Sequence, residues 1–347
     1  MLTENDDMLS RMPSDFEVLE LRRALHRGRV ATPDVDKAWE HFRQTIEAQP
    51  DADDEQPVSR FNRPLFLKVV AVAAAVAVFV VLLSPVLKAK KDKSIEVFTA
   101  VAGTQQVTVT TDDGTPQVVK GKSLAFNRTV SRTERIRMLE VSNPRGKVSR
   151  VVLPDGSTVW LNADSHLSFP ERFIGNTRDV GLSGEAYFDV KHDPSHPFVV
   201  TTANMVTTVH GTAFDVCAYS SKNTHVTLLR GSVSVRNTNG TEECFIKPGQ
   251  KAQVSDGGKI KLSDADTYAA TQWTEGFFYF DNCRFVDMMM ELGRWYNVSV
   301  VFENEQSMGV NLHFVAEHSD SLSTIVSHIN DLGIANVSIK DDVMIVH

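Results

Sequence analysis

The sequence has few cysteines and no excess of basic charge. Cysteine occurs three times in 347 residues, as Cys217, Cys244 and Cys283, which is too few for a disulfide scaffold or a zinc cage. At most one disulfide can form, and a Cys217–Cys244 pairing stays open. The formal net charge is −8, whereas a chain that neutralises nucleic-acid phosphates usually carries a basic face. We therefore expect no direct nucleic-acid partner.

The sequence also lacks the common short catalytic motifs: it has no Walker loop, no nucleophile elbow and no paired-glycine dinucleotide loop. His192 and His196 have the spacing of a helical metal pair, but Pro194 lies between them and argues against a helix. Asp155 and Glu185 are better explained by a turn and by a tight corner between two strands. We predict a protein that is not an enzyme, with no cofactor and no metal.

One peptide bond, Gly211–Thr212, is a candidate for covalent chemistry. It is predicted to join a strand that ends at His210 to one that begins at Ala213. A threonine hydroxyl in a strained turn can attack the preceding carbonyl, and this N-to-O acyl shift leads to self-cleavage. Glycine also permits a simple β-bulge at such a junction. The residues alone favour the bulge.

Residues 65–87 form one long apolar run, LFLKVVAVAAAVAVFVVLLSPVL. After Lys68, nineteen residues pass without a charge, which is the length of a helix that spans about 30 Å of hydrocarbon. The run lies too far along the chain for a secretory signal, and a buried helix is rarely apolar all round. We predict a transmembrane helix. The lysines and arginines on its two sides do not settle its orientation.

Residues 1–60 are acidic, with 14 Asp and Glu against 8 Lys and Arg, and two helices are predicted there. One runs from about Ser14 to Gly28, and the other opens with Thr32-Pro33. Two short helices bury little core alone, which favours completion by a partner protein, although a self-paired hairpin or dimer stays open. The residues predicted to bind that partner are Val18, Leu21, Leu25, Trp39, Phe42 and Ile46.

After Lys93 the pattern changes to short alternating strands with frequent turns, which predicts an all-β domain over residues 95–265. Asp155-Gly156 between two such runs indicates a hairpin with a primed turn. Residues 275–347 then read as a small α+β module in the order β-α-β-β-α-β-β, with Asp341-Asp342 at its final hairpin. Its first helix is predicted to bury Phe285, Met288, Met289, Leu292 and Trp295.

The motifs in this downstream part resemble the FecR family. They are GKVSRVVLPDGSTVWLNADSHLSFPERF, RDVGLSGEAYFDV, PFVVTT, HGTAFDVCAY and IKPGQKA, and FFYFDNCRFVDMMMELGRWYNVSVVF resembles the terminal module of that family. That module is similar in fold to the short N-terminal domain of secretins and TonB-dependent transducers. With the predicted span included, the resemblance covers most of residues 61–347.

The resemblance implies a single-pass inner-membrane anti-sigma factor with a cytoplasmic N-terminus and a periplasmic C-terminus. Its partners would be an extracytoplasmic-function sigma factor, bound by residues 1–60, and the signalling domain of an outer-membrane TonB-dependent transducer. Periplasmic and intramembrane proteases would release the sigma factor. Some members self-cleave at a Gly-Thr bond, although His210 stands here where the family usually has an apolar residue.

A second interpretation is a membrane-anchored periplasmic module that itself binds a glycan or a metal complex. Direct ligand binding by residues 95–347, without an effect on transcription, would distinguish it. The identity of the sigma factor, transducer and nutrient, any role in sigma activation, and the oligomeric state all stay open.

Overall fold

The computed structural model describes residues 94–347, apart from residues 104, 113, 115, 120, 122, 127–135, 241, 242 and 256. This part of the chain is mostly β-sheet with few helices. Its strands are β1 (Ile95–Phe98), β2 (Thr108–Thr111), β3 (Pro116–Val118), β4 (Ser123–Ala125), β5 (Met138–Asn143), β6 (Ser149–Val152), β7 (Thr158–Leu161), β8 (Ser165–Pro170), β9 (Arg178–Asp189), β10 (Phe198–Thr201), β11 (Met205–Val209), β12 (Ala213–Ala218), β13 (Thr224–Arg230), β14 (Val233–Asn237), β15 (Glu243–Ile246), β16 (Gln250–Val254), β17 (Ile260–Asp264), β18 (Phe277–Arg284), β19 (Ser299–Phe302), β20 (Asn311–Glu317), β21 (Val337–Lys340) and β22 (Val343–Val346). The α-helices are α1 (Phe285–Tyr296) and α2 (Leu322–Asp331), and short 3-10 helices lie at Ser221–Asn223 and Ala269–Glu275.

The long strand β9 belongs to both sheets of the β domain, which comprises β2 to β17. Its first half pairs with β8 and β10, and its second half pairs with β7 and β12. The bend lies at Gly184, whose φ is +99° and where a Cβ would lie 2.4 Å from Ser165 Oγ. The predicted corner between two strands at Glu185 is therefore wrong, because it is a bend inside one strand that only glycine can make.

The core of the β domain follows from the alternation in its strands. Every second residue of β9 is buried, because successive side chains of a strand point to opposite faces. Each fully buried Phe or Leu contributes about 1.5–3 kcal/mol relative to an exposed one. The largest fully buried side chains of this core are Phe169, Phe188, Phe198, Phe214, Leu153, Leu161, Leu167, Met205 and Leu228.

The hairpin between β6 and β7 is confirmed, but its turn differs from the primed type. Only Gly156 has a positive φ, of +87°, and its N–H donates to Leu153 O at 2.9 Å. Pro154 fixes a negative φ at the first turn position, which suits a type I turn followed by a left-handed glycine. Asp155 accepts a hydrogen bond from Ser157 N at 2.9 Å, so its role in the turn is confirmed.

The C-terminal domain, residues 277–346, has the predicted order of strands and helices. Helix α1 buries four of the five predicted side chains, while Trp295 is half-buried. Helix α2 begins after Ser321, whose hydroxyl accepts from Thr324 N at 3.2 Å, as an N-cap residue does. The turn at Asp341 and Asp342 has φ of +50° and +59°, so the final hairpin is confirmed.

Strand β1 does not belong to the β domain that follows it in sequence. It pairs antiparallel with β19, in a four-stranded sheet of order β1-β19-β22-β21. The predicted boundary at residue 95 therefore differs from the structure, in which residues 95–98 complete the C-terminal domain. The physical reason is that β19 already pairs with β22 on one side, so β1 covers an edge that would otherwise be open.

The cysteines all lie in the described part of the chain, and none of them forms a disulfide. Cys217 is on β12 and Cys244 is on β15. Four other strands separate β12 from β15 along the order of the sheet. The Cys217–Cys244 disulfide is not formed in the structure.

Candidate functional site

The partner-binding residues predicted in the N-terminal segment lie outside the described residues, as does the predicted span at residues 65–87. They are Val18, Leu21, Leu25, Trp39, Phe42 and Ile46. Within the described ranges from residue 94 onward, no helix is both long and apolar enough to cross a membrane. The candidate sites below are therefore those of residues 94–347.

The Gly211–Thr212 bond lies between β11 and β12, as predicted. Gly211 has φ of +146°, and a Cβ there would lie 2.5 Å from the Cα of His192, so the position requires glycine. Thr212 is buried, and its hydroxyl donates to Ser232 O at 3.1 Å. Its own carbonyl accepts from Val190 N at 3.0 Å. The close packing around Gly211 is compatible with a simple β-bulge and also with a strained Gly211–Thr212 bond. Self-cleavage at this bond therefore stays a prediction.

Two of the residues weighed as metal-binding or catalytic groups, His196 and Asp155, have other partners. His196 Nδ1 lies 2.9 Å from Asp193 Oδ2 in a short turn, and no helix forms there. Asp155 Oδ2 accepts from the buried Arg178 Nη1 at 2.7 Å. Among the described residues, no group of three or more His, Cys, Asp or Glu side chains is arranged to hold a metal ion.

Sequence reasoning missed an acidic cluster where helix α1 packs against the β domain. It joins Glu185 on β9, Asp215 on β12 and Glu291 on α1, with Arg294 one turn further along the helix. Glu185 Oε2 accepts from Asn162 Nδ2 at 2.6 Å. The three carboxyl groups come from distant parts of the chain, so no spacing in the sequence could have indicated them.

Burial governs the ionisation of this cluster. It raises the pKa of Glu291 to about 8, with the neighbouring Glu185 acting in the same direction and Arg294 against it. Burial also raises the pKa of Glu185, and that of Asp215 well above its usual value. Burying a charge is costly unless it is paired. Here Glu185 and Glu291 share the charge of Arg294, whereas the charged form of Asp215 is favoured only by the side chain of Trp273. The pKa of about 8 favours the protonated form of Glu291 at neutral pH in the folded protein.

Tyr219 anchors the arginine of this cluster. The Arg294 guanidinium lies over the Tyr219 ring, with Cζ 3.5 Å from the ring centroid, a distance typical of a cation–π contact. Tyr219 Oη donates to Ala163 O at 2.6 Å. Burial raises the pKa of this phenol, and that of the nearby Cys217 thiol, well above their usual values. Neither Cys217 nor Tyr219 is therefore an activated nucleophile at this seam between the two domains.

Two family models match the described part of the chain. Residues 139–234 match the model described as FecR protein, and residues 277–346 match the one described as FecR, C-terminal. The first match lies within the β domain, from β5 to the start of β14, and the second covers the C-terminal domain. Each of these domains has its own hydrophobic core.

Two crystal structures of a candidate anti-sigma factor from Parabacteroides distasonis ATCC 8503 are similar to this chain, each with a TM-score of 0.55. They are 26% and 25% identical to it, and each alignment covers 60% of this chain and 98% of the other. No curated protein matches the chain. These likenesses indicate a regulatory rather than an enzymatic role.

Proposed function

Because its two domains make this chain a member of the FecR family, we propose that it is a single-pass inner-membrane anti-sigma factor. Residues 1–60 bind an extracytoplasmic-function sigma factor in the cytoplasm, residues 65–87 cross the membrane, and the two described domains lie in the periplasm. Two findings together carry the proposal: the chain matches both FecR family models, and its structure is similar to that of a candidate anti-sigma factor.

The proposed signal comes from the signalling domain of a TonB-dependent outer-membrane transducer. Engagement of the periplasmic domains leads to proteolysis, first in the periplasm and then within the membrane, and the sigma factor is released. The apolar stripe of residues 1–60 supports the first part of this mechanism, because a stripe without a core of its own suits recognition by a partner. The acidic charge of this segment suits a basic partner surface.

The test is co-purification of the full-length chain from membranes with the sigma factor encoded nearest to its gene. Trp39→Ala removes a large side chain from the apolar stripe and should reduce capture at least about tenfold, because aromatic anchors dominate such interfaces. Gln44→Ala, on the other face of the same predicted helix, is the matched control and should leave capture unchanged. Equal capture by both variants would show that the stripe is not the binding surface.

One observation favours the alternative of a periplasmic binding module. A cleft of about 770 Å³ is lined by Trp160, Trp273 and Trp295, together with Lys147 and Arg150. Clefts with aromatic walls and a few polar groups are typical ligand sites. Calorimetric titration of the full chain with glycan fragments and ferric chelates would distinguish the two functions. Tight binding with no change in sigma-dependent transcription would favour the binding module.

A further inference from the structure

The segment that begins eight residues after the predicted span is held by both folded domains. We call residues 95–101 the clasp segment. Its first four residues form β1, in which Ile95 is paired with Phe302 and Glu96 with Val301 across to β19. The pairing shifts register between Glu96 and Phe98, and β1 has no further strand on its outer side within the described part.

Side chains of the C-terminal domain continue this pairing beyond the end of β1. Asn297 Oδ1 accepts from Val101 N at 3.2 Å, and Asn297 Nδ2 donates to Val101 O at 3.1 Å. One residue before Val101, Ala100 N donates to Ser299 Oγ at 2.9 Å. The two-way exchange at Asn297 imitates a hydrogen-bonded residue pair of an antiparallel ladder. The end of the clasp segment is therefore held by side chains of Asn297 and Ser299, and these bonds can break without breaking the backbone pairing of β19 with β22.

The β domain contributes one residue to the same contact. Arg145 Nη1 donates to Thr99 O at 3.1 Å and to Asn297 Oδ1 at 2.7 Å. The Arg145 guanidinium also lies over the Phe98 ring, 4.6 Å from its centroid, while its Nε donates to Asp164 Oδ2 at 3.0 Å. One side chain thus links the β domain, the C-terminal domain and the clasp segment, so a shift between the two domains changes how the segment is held.

The clasp segment is weakly buried compared with the rest of the fold. Val101 is 51% exposed, and Val101, Gly103 and Asn297 line a cavity of about 430 Å³ that also reaches Arg145. Edge strands with exposed backbone hydrogen bonds and few apolar contacts belong to the parts of a protein that open most readily. Its apolar side chains Val97 and Phe98 are only partly buried where they pack against the C-terminal core. The segment can therefore detach without removing a fully buried side chain from either core.

We propose that the clasp segment is a releasable strand through which the C-terminal domain controls the membrane-proximal chain. In the held state, β19 and Asn297 fix residues 95–101. In the released state, the edge of β19 is open and these residues are extended and exposed. The functional half of this proposal rests on the proposed anti-sigma function, because release of the segment is what raises sigma-dependent transcription.

Asn297→Gly tests the clasp with little disturbance of helix α1. Asn297 ends that helix with φ of +53°, a conformation that glycine adopts freely. The substitution therefore removes the side-chain bonds to Val101 and keeps the helix end. Asn282→Gly is the matched control, since Asn282 has φ of +49° in the same domain and its side chain bonds to Asn311 instead.

The physical measurement is amide hydrogen exchange of the full-length chain in membrane nanodiscs. Asn297→Gly should speed exchange of residues 95–101 by about tenfold or more, because loss of these bonds favours local opening. Asn282→Gly should leave that exchange unchanged. Equal exchange in the wild type and Asn297→Gly would overturn the clasp, whatever the function of the protein.

A disulfide lock between β1 and β19 should have the opposite effect to Asn297→Gly, because it prevents release of the clasp segment. Glu96→Cys with Val301→Cys places two thiols at paired positions of adjacent antiparallel strands, where the Cα separation suits a disulfide. The control, Ser338→Cys with Ile345→Cys, cross-links another antiparallel pair of the same sheet without touching β1. Under oxidation, the lock should slow exchange of residues 95–101 and the control should not.

The functional measurement is a sigma-dependent reporter in cells that carry each full-length variant. Asn297→Gly should raise reporter output, and the oxidised lock should lower it, with both controls at the wild-type level. Faster exchange without a change in output would overturn the coupling, provided that deletion of residues 1–60 does change output. If that deletion also leaves output unchanged, the proposed anti-sigma function fails, and the functional half of this proposal fails with it.

Discussion

The two folded domains differ in how each is completed. All strands of the β domain come from one continuous stretch, β2 to β17, and its core lies within that stretch. In the C-terminal domain, one strand of the four-stranded sheet comes from residues 95–98. These residues lie nearly 180 residues before β18, the first strand of the domain's own stretch of sequence. The β domain is thus self-contained, whereas the C-terminal domain is complete only with the chain that leads from the predicted span.

The largest expected effect is confined to the self-contained domain. Phe188 and Phe214 are fully buried and their rings stack with centroids 5.1 Å apart. Phe214→Ala should lower the stability of the β domain by about 3–5 kcal/mol, because it leaves a cavity in a packed core. Hydrogen exchange of β12 measures the loss, and Phe245→Ala, at a side chain that is 67% exposed, is the control. Equal losses in the C-terminal domain would show that the domains unfold together.

A smaller effect is expected where the clasp segment packs on helix α1. A Cβ at Gly293 would lie 2.8 Å from Phe98 Cδ1 and from Val300 Cγ2. Gly293→Ala should therefore destabilise the C-terminal domain by about 1–3 kcal/mol through overpacking, partly offset by about 1 kcal/mol of helix propensity. Exchange at β19 should increase while that at β12 stays constant. Gly309→Ala, where a Cβ meets nothing within 4 Å, should change neither.

The pH dependence of the free energy of unfolding should distinguish the contribution of the acidic seam from that of the two apolar cores. The pKa of Glu291 is raised to about 8 by burial, so the folded protein binds its proton more tightly than the unfolded chain does. The stability that the protonated form provides is complete below the usual glutamate pKa and is lost as pH rises through about 8. Urea titrations between pH 5 and 9 should show this fall in the wild type and a flatter profile in Glu291→Gln. The same slope in both would assign it to other groups, and exposed Glu317→Gln is the control.

The last expected effect, at the Gly211–Thr212 bond, is on covalent chemistry and not on stability. Self-cleavage there requires two fragments in the intact mass spectrum of the purified chain, one ending at Gly211 and one beginning at Thr212. Thr212→Val removes the attacking hydroxyl and should abolish them, whereas Thr212→Ser should retain them. A single intact mass in the wild type would exclude the reaction.

Local patterns predicted much of the fold because they report local physics. The alternation in β9 and the apolar stripe of helix α1 both gave the buried face that the structure shows. The partner of β1 could not be predicted in this way. Its four residues, IEVF, fit any sheet edge with a matching apolar face, and the choice of β19 depends on contacts some 200 residues away.

The acidic seam escaped prediction for a related reason. Asp215 lies on the face of β12 opposite to Phe214 and Val216, which belong to the core of the β domain. Only the packing of helix α1 on that face brings Glu291 near it. The alternation in AFDVCAY places this carboxylate on the outer face of the strand. The sequence therefore carried no signal that Asp215 is buried. The predicted partner-binding residues of the N-terminal segment stay predictions, since they lie outside the described residues.

The pairing of β1 with β19 also sets an order of assembly. Closing so long a loop costs entropy that only the finished contact repays, so pairings of high sequence separation form late. During synthesis, residues 95–98 emerge long before residues 299–302 exist, and the β domain can fold in the interval. Any chain that ends before residue 299 leaves its first strand without this partner. Pairing of β1 with β19 therefore occurs only in a chain that has been synthesised as far as residues 299–302.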